Sequence, residues 1–275
     1  MKTSQRARYQ ARRLVQTPRT FANWPRVLAD MARQTLGNGP QDLTFRTRGG
    51  VTIVCPNRRG ARVPVYEIFA EDCYQLAPFL GPLLNRPVQV LDIGGHIGTF
   101  SCQLTQLHPR ASVLAYEPSA VTAEYLRRNI ERNNVADRVQ VFKSAVAATS
   151  GIAVFRDNGA GSGLNSLRSG HGSVGTDTEV STVSFDEAVA NAPAPVDVVK
   201  IDCEGGEYDL VLGSSPESWA SVQRVVIEFH PVAGHGWDEL RDRFEGVGLS
   251  VQQQSIVGGY GCVWLSREPL TLAPR

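Results

Sequence analysis

Residues 88–93, Val88-Gln89-Val90-Leu91-Asp92-Ile93, are a mainly apolar strand-like run that leads directly into Gly94-Gly95-His96-Ile97-Gly98-Thr99-Phe100, with Asp92 near its end, and a helical period follows over 99–107. A strand without polar alternation must be covered on both faces, which is the habit of parallel sheets wrapped by helices. The same pattern recurs downstream. Apolar strands are expected over 112–116, 139–142, 196–201 and 222–229, with helices over 120–133, 207–213 and 237–245 and a short strand at 180–183. Two β-rich runs, 249–254 and 260–266, flank Gly258-Gly259 and read as a final antiparallel hairpin. The implied fold is α/β, a Rossmann-like, mostly parallel sheet with a C-terminal antiparallel hairpin.

Before residue 87 the pattern differs. Asn23-Trp24-Pro25 opens a helix that Gly37 closes, and runs 42–47, 51–55 and 62–68 are β-rich around Gly49-Gly50 and Pro56-Asn57. Residues 71–84 read as helical. We expect an N-terminal helical and β-hairpin extension over 1–60 and a catalytic domain over 61–275. The extension is basic: residues 1–34 hold eight Lys or Arg against Asp30 alone, which leaves 20 basic and 26 acidic residues on the rest of the chain. Such an arm suits nucleic acid, anionic lipid or an acidic substrate, or simply a solvated helix pair. It also offers a surface for a homodimer. No run of about 18 apolar residues is present, which argues against a membrane-spanning helix. Five cysteines without CxxC spacing fit neither a zinc site nor a redox pair, and the expected compartment is the reducing cytoplasm.

Glycines between a strand and a helix let a ligand approach the backbone beside a helix N-terminus. A dinucleotide fingerprint would place a third glycine two residues before Gly94, where Asp92 stands. A carboxylate there repels a pyrophosphate and suits a ligand that carries positive charge. Asp92, Gly94, Gly95 and Gly98 thus point to the amino-acid end of S-adenosylmethionine. Glu117, at the end of the second strand and 19 residues after Gly98, can accept from both ribose hydroxyls.

These residues carry a resemblance. Val90–Gly98, Tyr116-Glu117-Pro118, Lys200-Ile201-Asp202-Cys203-Glu204-Gly205-Gly206-Glu207 and Glu228-Phe229-His230 resemble the FkbM family of S-adenosylmethionine-dependent methyltransferases in motif, order and spacing over roughly residues 65–265. Gly95 and His96 depart from the family's usual Ala-Asn. The resemblance implies a class I methyltransferase sheet and a small-molecule hydroxyl acceptor such as a sugar, polyketide or other secondary metabolite. It implies cofactor contacts from Asp92, Gly94, Gly95, His96, Gly98, Thr99, Phe100, Glu117, Pro118 and Asp202. It further implies that Ser144 and Ala145, in the turn with Lys143 and Val146, line the adenine, and that Phe69, Glu71 and Tyr74 close over the cofactor.

Asp202 and Glu204 follow one apolar strand, and Glu228 and His230 end the next. Residues two apart on extended chain share a face, so neighbouring strands would bring these groups together. His230 is the first candidate for the base that takes a hydroxyl proton, because imidazole titrates near working pH. Asp202 would orient it or take the proton, and Glu204 would bind acceptor hydroxyls. The same set, as Asp202, Glu228 and His230, also suits a divalent cation such as Mg2+, which would lower the hydroxyl pKa instead. Lys200 reads as the partner of a core carboxylate. The Gly- and Ser-rich stretch 157–177 reads as a loop able to cover the acceptor, with His171, His235 and Trp237 as loose candidate contacts.

Carbon or nitrogen acceptors remain alternatives, since the cofactor motifs do not report on them. A nucleic-acid methyltransferase would be expected to carry an Asn/Asp-Pro-Pro-aromatic or Pro-Cys motif, and the chain has neither. An NAD-dependent oxidoreductase and a non-catalytic binding module are the other readings.

Overall fold

The computed structural model describes residues 3–58, 60–162 and 175–274. The elements are α1 (Thr3–Thr20), α2 (Trp24–Thr35), β1 (Asp42–Arg46), β2 (Thr52–Pro56), α3 (Val63–Phe69), α4 (Leu76–Leu80), β3 (Val88–Ile93), α5 (Thr99–Leu107), β4 (Ala111–Tyr116) and α6 (Ala120–Arg132). There follow β5 (Val139–Phe142), β6 (Ala145–Ala147), β7 (Gly151–Asp157), β8 (Thr176–Ser184), α7 (Phe185–Ala190), β9 (Val196–Ile201), α8 (Glu207–Gly213), β10 (Arg224–Phe229), α9 (Trp237–Gly246), β11 (Ser250–Val257) and β12 (Tyr260–Ser266).

Seven strands form the central sheet in the order β11-β12-β10-β9-β3-β4-β5. From β10 to β5 every neighbour is parallel, and only β12, antiparallel to both β10 and β11, runs against the rest. Strand order reverses between β3 and β9, so the crevice beyond their C-terminal ends is where a ligand is expected. The mainly apolar strands feed two cores. Val90, Val113, Val198 and Val226 pack into one, while Leu91, Leu114, Val199 and Ile227 pack into the other. Period-two alternation is therefore present in direction, with both directions buried.

Two local expectations are corrected. Residues 62–68 are not a strand: a short 3-10 turn over Gly60–Arg62 leads into α3, with Pro64 in the first helical turn. Prolines there lack no needed donor, and their fixed φ favours the helix over the β-branched neighbours' preference. The helix expected over 71–84 is broken into α4 and a 3-10 stretch, Gly81–Asn85, with Gly81 at φ +42 and Pro82 following. The 157–177 stretch is in part strand: β7 and β8 flank it and pair with each other, and β8 also pairs with β6, in a second, three-stranded sheet of order β6-β8-β7. Residues 163–174, including His171, lie outside the described residues.

The N-terminal segment packs into the first core. Phe21, Phe45 and Tyr66 form an aromatic trio with centroids 4.8–5.8 Å apart, and Arg13 lies over the Tyr66 ring. Asn129 of α6 is fully buried; its amide donates to the carbonyls of Val54 (2.9 Å) and Ile97 (2.8 Å) and accepts from Val54 N–H (2.8 Å). One side chain thus joins β2, α6 and the loop after β3. All five cysteines are free, and no helix among the described residues is long and apolar enough to cross a membrane. Asn129→Ala leaves three buried backbone groups without a partner and should lower unfolding free energy by roughly 3 kcal/mol in urea titrations.

Candidate active site

The strand ends at the reversal open into a cavity of about 400 Å³. One wall is the loop after β3. Gly94 and Gly95 donate their N–H groups to Tyr116 O at 3.0 and 2.8 Å, which folds the loop against β4. Gly94 has φ +77, and a Cβ on it would stand 1.8 Å from the carbonyl oxygen of Asp202. Gly98, at φ +85, starts α5 with a virtual Cβ 2.7 Å from Leu126. No side chain fits at either position, so glycine here is a packing requirement.

Beneath the loop lies a buried ion pair. Asp92 is wholly buried, accepts from Ser101 Oγ at 2.6 Å and pairs with Lys200 Nζ at 3.3 Å. Lys200 also donates to the carbonyls of Ile93 (3.2 Å) and Gly94 (2.5 Å) and lies 3.8 Å from Asp202. Burial disfavours its charge, but the two carboxylates outweigh this and raise its pKa.

Glu117 closes the β4 side. Its oxygens accept from His96 N–H and Ser119 N–H, each at 3.0 Å, and burial raises its pKa to about 7 despite those bonds. The His96 ring lies beside the Gly161 backbone, with neither nitrogen in a well-formed hydrogen bond, and burial lowers its pKa to about 4. It is therefore neutral at working pH.

The opposite wall is acidic. Glu67 of α3, Asp202 and Glu204 after β9, and Glu228 of β10 all line the cavity with Tyr74, whose hydroxyl donates to Asp202 at 3.3 Å. Tyr74 is anchored by Trp264 Nε1, which donates to its carbonyl at 2.9 Å. Burial, then the charge of Asp202, raises Glu67 to about 7 and Glu204 to about 8; for Glu228 the Asp202 charge comes first and burial second, again to about 8. Glu204 sits at φ +54, a strained conformation that the surrounding turn imposes. The turn is held by Glu207, a fully buried carboxylate that accepts from Cys203 N–H (3.1 Å) and Gly205 N–H (2.9 Å) and contacts His230 Nδ1 at 3.0 Å.

With this geometry in hand, comparison with known proteins is informative. The Methyltransferase FkbM domain family matches residues 92–249. The chain belongs to the FkbM methyltransferase family. It is similar to Methyltransferase sdnD of Sordaria araneosa, 27% identical over 220 residues (65% of this chain, 83% of that one). It is also similar to the 31-O-demethyl-FK506 methyltransferase FkbM of Streptomyces tacrolimicus, 28% identical over 218 residues (70% of this chain, 83% of that one). Among solved structures, the magnesium protoporphyrin IX methyltransferase of Synechocystis with bound S-adenosylmethionine aligns with 76% of this chain and 83% of that one, at TM-score 0.43 and 13% identity.

The cavity of this FkbM methyltransferase suits S-adenosylmethionine. The glycine wall admits close approach, and Glu117 faces the space with hydrogen-bonding capacity left after its two backbone bonds. Of the residues expected to hold the cofactor, Gly94, Gly95, His96, Thr99, Phe100, Glu117, Pro118, Ala145, Asp202 and Tyr74 line the cavity. Asp92, Gly98 and Ser144 do not: Asp92 and Gly98 shape the loop from behind. Glu71 is a correction, since its carboxylate is turned to the N-terminal helix, where Arg13 (2.6 Å) and Arg12 (3.3 Å) hold it.

The expectations for His230 also change. It is buried outside the cavity lining, with Nε2 3.2 Å from Glu204 and Nδ1 on Glu207. Burial opposes its charge, but the hydrogen bond to Glu207 and the nearby carboxylates prevail and raise its pKa to about 10. With both ring nitrogens engaged by Glu204 and Glu207, it is turned away from the acceptor side of the cavity. The clustered donors that could hold a cation are Asp202, Glu204 and His230, with Glu204 in the place expected of Glu228. Glu67 and Phe155 line the cavity and were not expected from sequence. Glu67 was hidden in a run read as strand, where its i, i+4 relation to Val63 carried no meaning.

Two outcomes follow. Gly94→Ala should abolish binding of S-adenosylhomocysteine in calorimetric titration, because its Cβ collides with backbone. Glu67, Glu117, Glu204 and Glu228 bind protons more tightly folded than unfolded, so their summed contribution to stability falls as pH rises from about 4.5 to 8. Urea titrations of ligand-free protein across that window should show Glu228→Gln flattening the decline.

Proposed function

We propose that this methyltransferase transfers a methyl group to a hydroxyl of a small molecule, a sugar, polyketide or similar secondary metabolite. The observation that carries the reading is the single cavity that joins the glycine wall to a ring of carboxylates. Carboxyl groups whose proton affinity is raised to near neutrality can both donate and accept, so the acceptor side suits a ligand rich in hydroxyls. S-adenosylmethionine, when bound, supplies a methyl already activated for displacement by its sulfonium. The chain's own work is then alignment and proton removal. The Gly94–Gly95 wall, with Glu117, positions the donor. Tyr74 and the Asp202 carboxylate, joined by their hydrogen bond and braced by Lys200, fix the floor between donor and acceptor. Glu204, held by His230 and the Glu207 turn, offers a hydrogen-bonding partner for substrate hydroxyls. The likeness to a 31-O-demethyl-FK506 methyltransferase of Streptomyces supports an oxygen acceptor.

The test has two stages. Calorimetry should give micromolar binding of S-adenosylhomocysteine, unchanged by EDTA; absence of binding would sink the whole reading. Label transfer from methyl-tritiated S-adenosylmethionine is then followed on methyl glycosides, macrolactone alcohols and their amino analogues. Transfer to the alcohols is expected, and labelling of the amines alone would move the reaction to nitrogen.

A further inference from the structure

The hydroxyl proton needs a destination, and the carboxylates of the cavity are not equivalent. Asp202 is occupied by Tyr74 and Lys200. Glu204 is paired with His230, and Glu207 is sealed beneath the turn with three partners. Among the described residues, the carboxyls of Glu67 and Glu228 line the cavity without a side-chain hydrogen bond or ion pair. Glu67 is half-buried, so it is both desolvated and reachable. It comes from a different part of the fold from the rest. Val63, Pro64, Glu67 and Ile68 form the one face of α3 that meets the cavity, whereas Asp202, Glu204 and Glu228 stand on the strand ends.

We infer that Glu67 is the group that takes the proton from the acceptor hydroxyl, reaching the substrate from the α3 side while Glu228 stands on the strand side. The inference rests on the hydroxyl-transfer reading above. In the step, the acceptor O–H bond breaks and its proton passes to a Glu67 carboxylate oxygen. The oxygen's electron pair forms the new O–C bond, and the C–S pair returns to sulfur, leaving a neutral thioether. The surroundings fit the task. Asp202 and Glu71 carry negative charge toward Glu67, with Arg13 of α1 opposing them, and the charge of Glu67 in turn raises Glu228. A base works best when its proton affinity lies near working pH. Two carboxyls of raised affinity lining one cavity reach that condition without an imidazole.

The experiment uses the full chain and the methyl glycoside or macrolactone alcohol labelled fastest in the panel above. Glu67→Gln should leave the affinity for S-adenosylhomocysteine within about twofold and lower kcat by about 10²- to 10⁴-fold. The acid limb of the kcat/KM profile should disappear, and Glu67→Asp should recover part of the rate. A parallel fall in S-adenosylhomocysteine affinity would assign Glu67 to the donor and overturn the inference, as would an unchanged kcat. Should no alcohol be labelled, the hydroxyl reading fails by itself, and a second measurement still decides the role of Glu67. In δ-13C-glutamate protein saturated with S-adenosylhomocysteine, a carboxyl resonance titrating near neutrality should vanish in Glu67→Gln. If every glutamate titrates in the ordinary range, Glu67 is not the base.

Discussion

The pairing of Lys200 with Asp92 is the interaction on which the site depends. Both groups are buried at the reversal of strand order, and neither could be tolerated there alone, since an unpaired charge in the interior is strongly destabilising. Their value lies in placement. Lys200 sits on β9 and reaches β3, where it holds the last carbonyls of the strand while Asp92 holds Ser101 of α5. The glycine turn between them is thus pinned at both ends, and its exposed backbone is presented to the cavity in one conformation. A positive group under the loop also offsets the negative wall opposite.

That negative wall is the second constraint. Several carboxyls share a small space with few cations, and each makes its neighbours harder to ionise. The chain resolves the crowding unevenly. Glu207 and His230 form a buried pair that serves the turn, Asp202 is braced, and the remaining groups keep part of their proton affinity. Roles that look interchangeable on paper become distinct once burial and partners are counted.

Much of this was legible in the sequence. The apolar strands at 88–93, 112–116, 196–201 and 222–229 announce a sheet buried on both faces, and their polar ends mark the ligand side. Gly94, Gly95, Glu117, Asp202, Glu204 and Glu228 all line one cavity, while Asp92 and Gly98 shape its glycine turn from behind. What the sequence hides is three-dimensional competition for partners. Glu71 matches a motif position, yet arginines of α1 draw it away. His230 lies two residues from Glu228 on extended chain, but Glu207, 23 residues earlier, captures its ring. Glu67 escaped notice because β-branched and aromatic residues around Pro64 imitate a strand. Helix periodicity is hard to see over seven residues.

The stitching by Glu207 divides the acceptor wall into halves of unequal freedom. The strand-side half is committed: Glu204 sits in a left-handed turn fastened by three bonds to one buried carboxylate, and Asp202 backs directly onto Gly94. Any substitution there disturbs the donor site as well. The α3 half is fastened mainly by aromatic packing of Tyr66 behind it, leaving its cavity face open to exchange. A chain built this way can acquire a new acceptor by rewriting the residues that surround Glu67 on a single helical face, while the machinery that holds the methyl donor stays as it is.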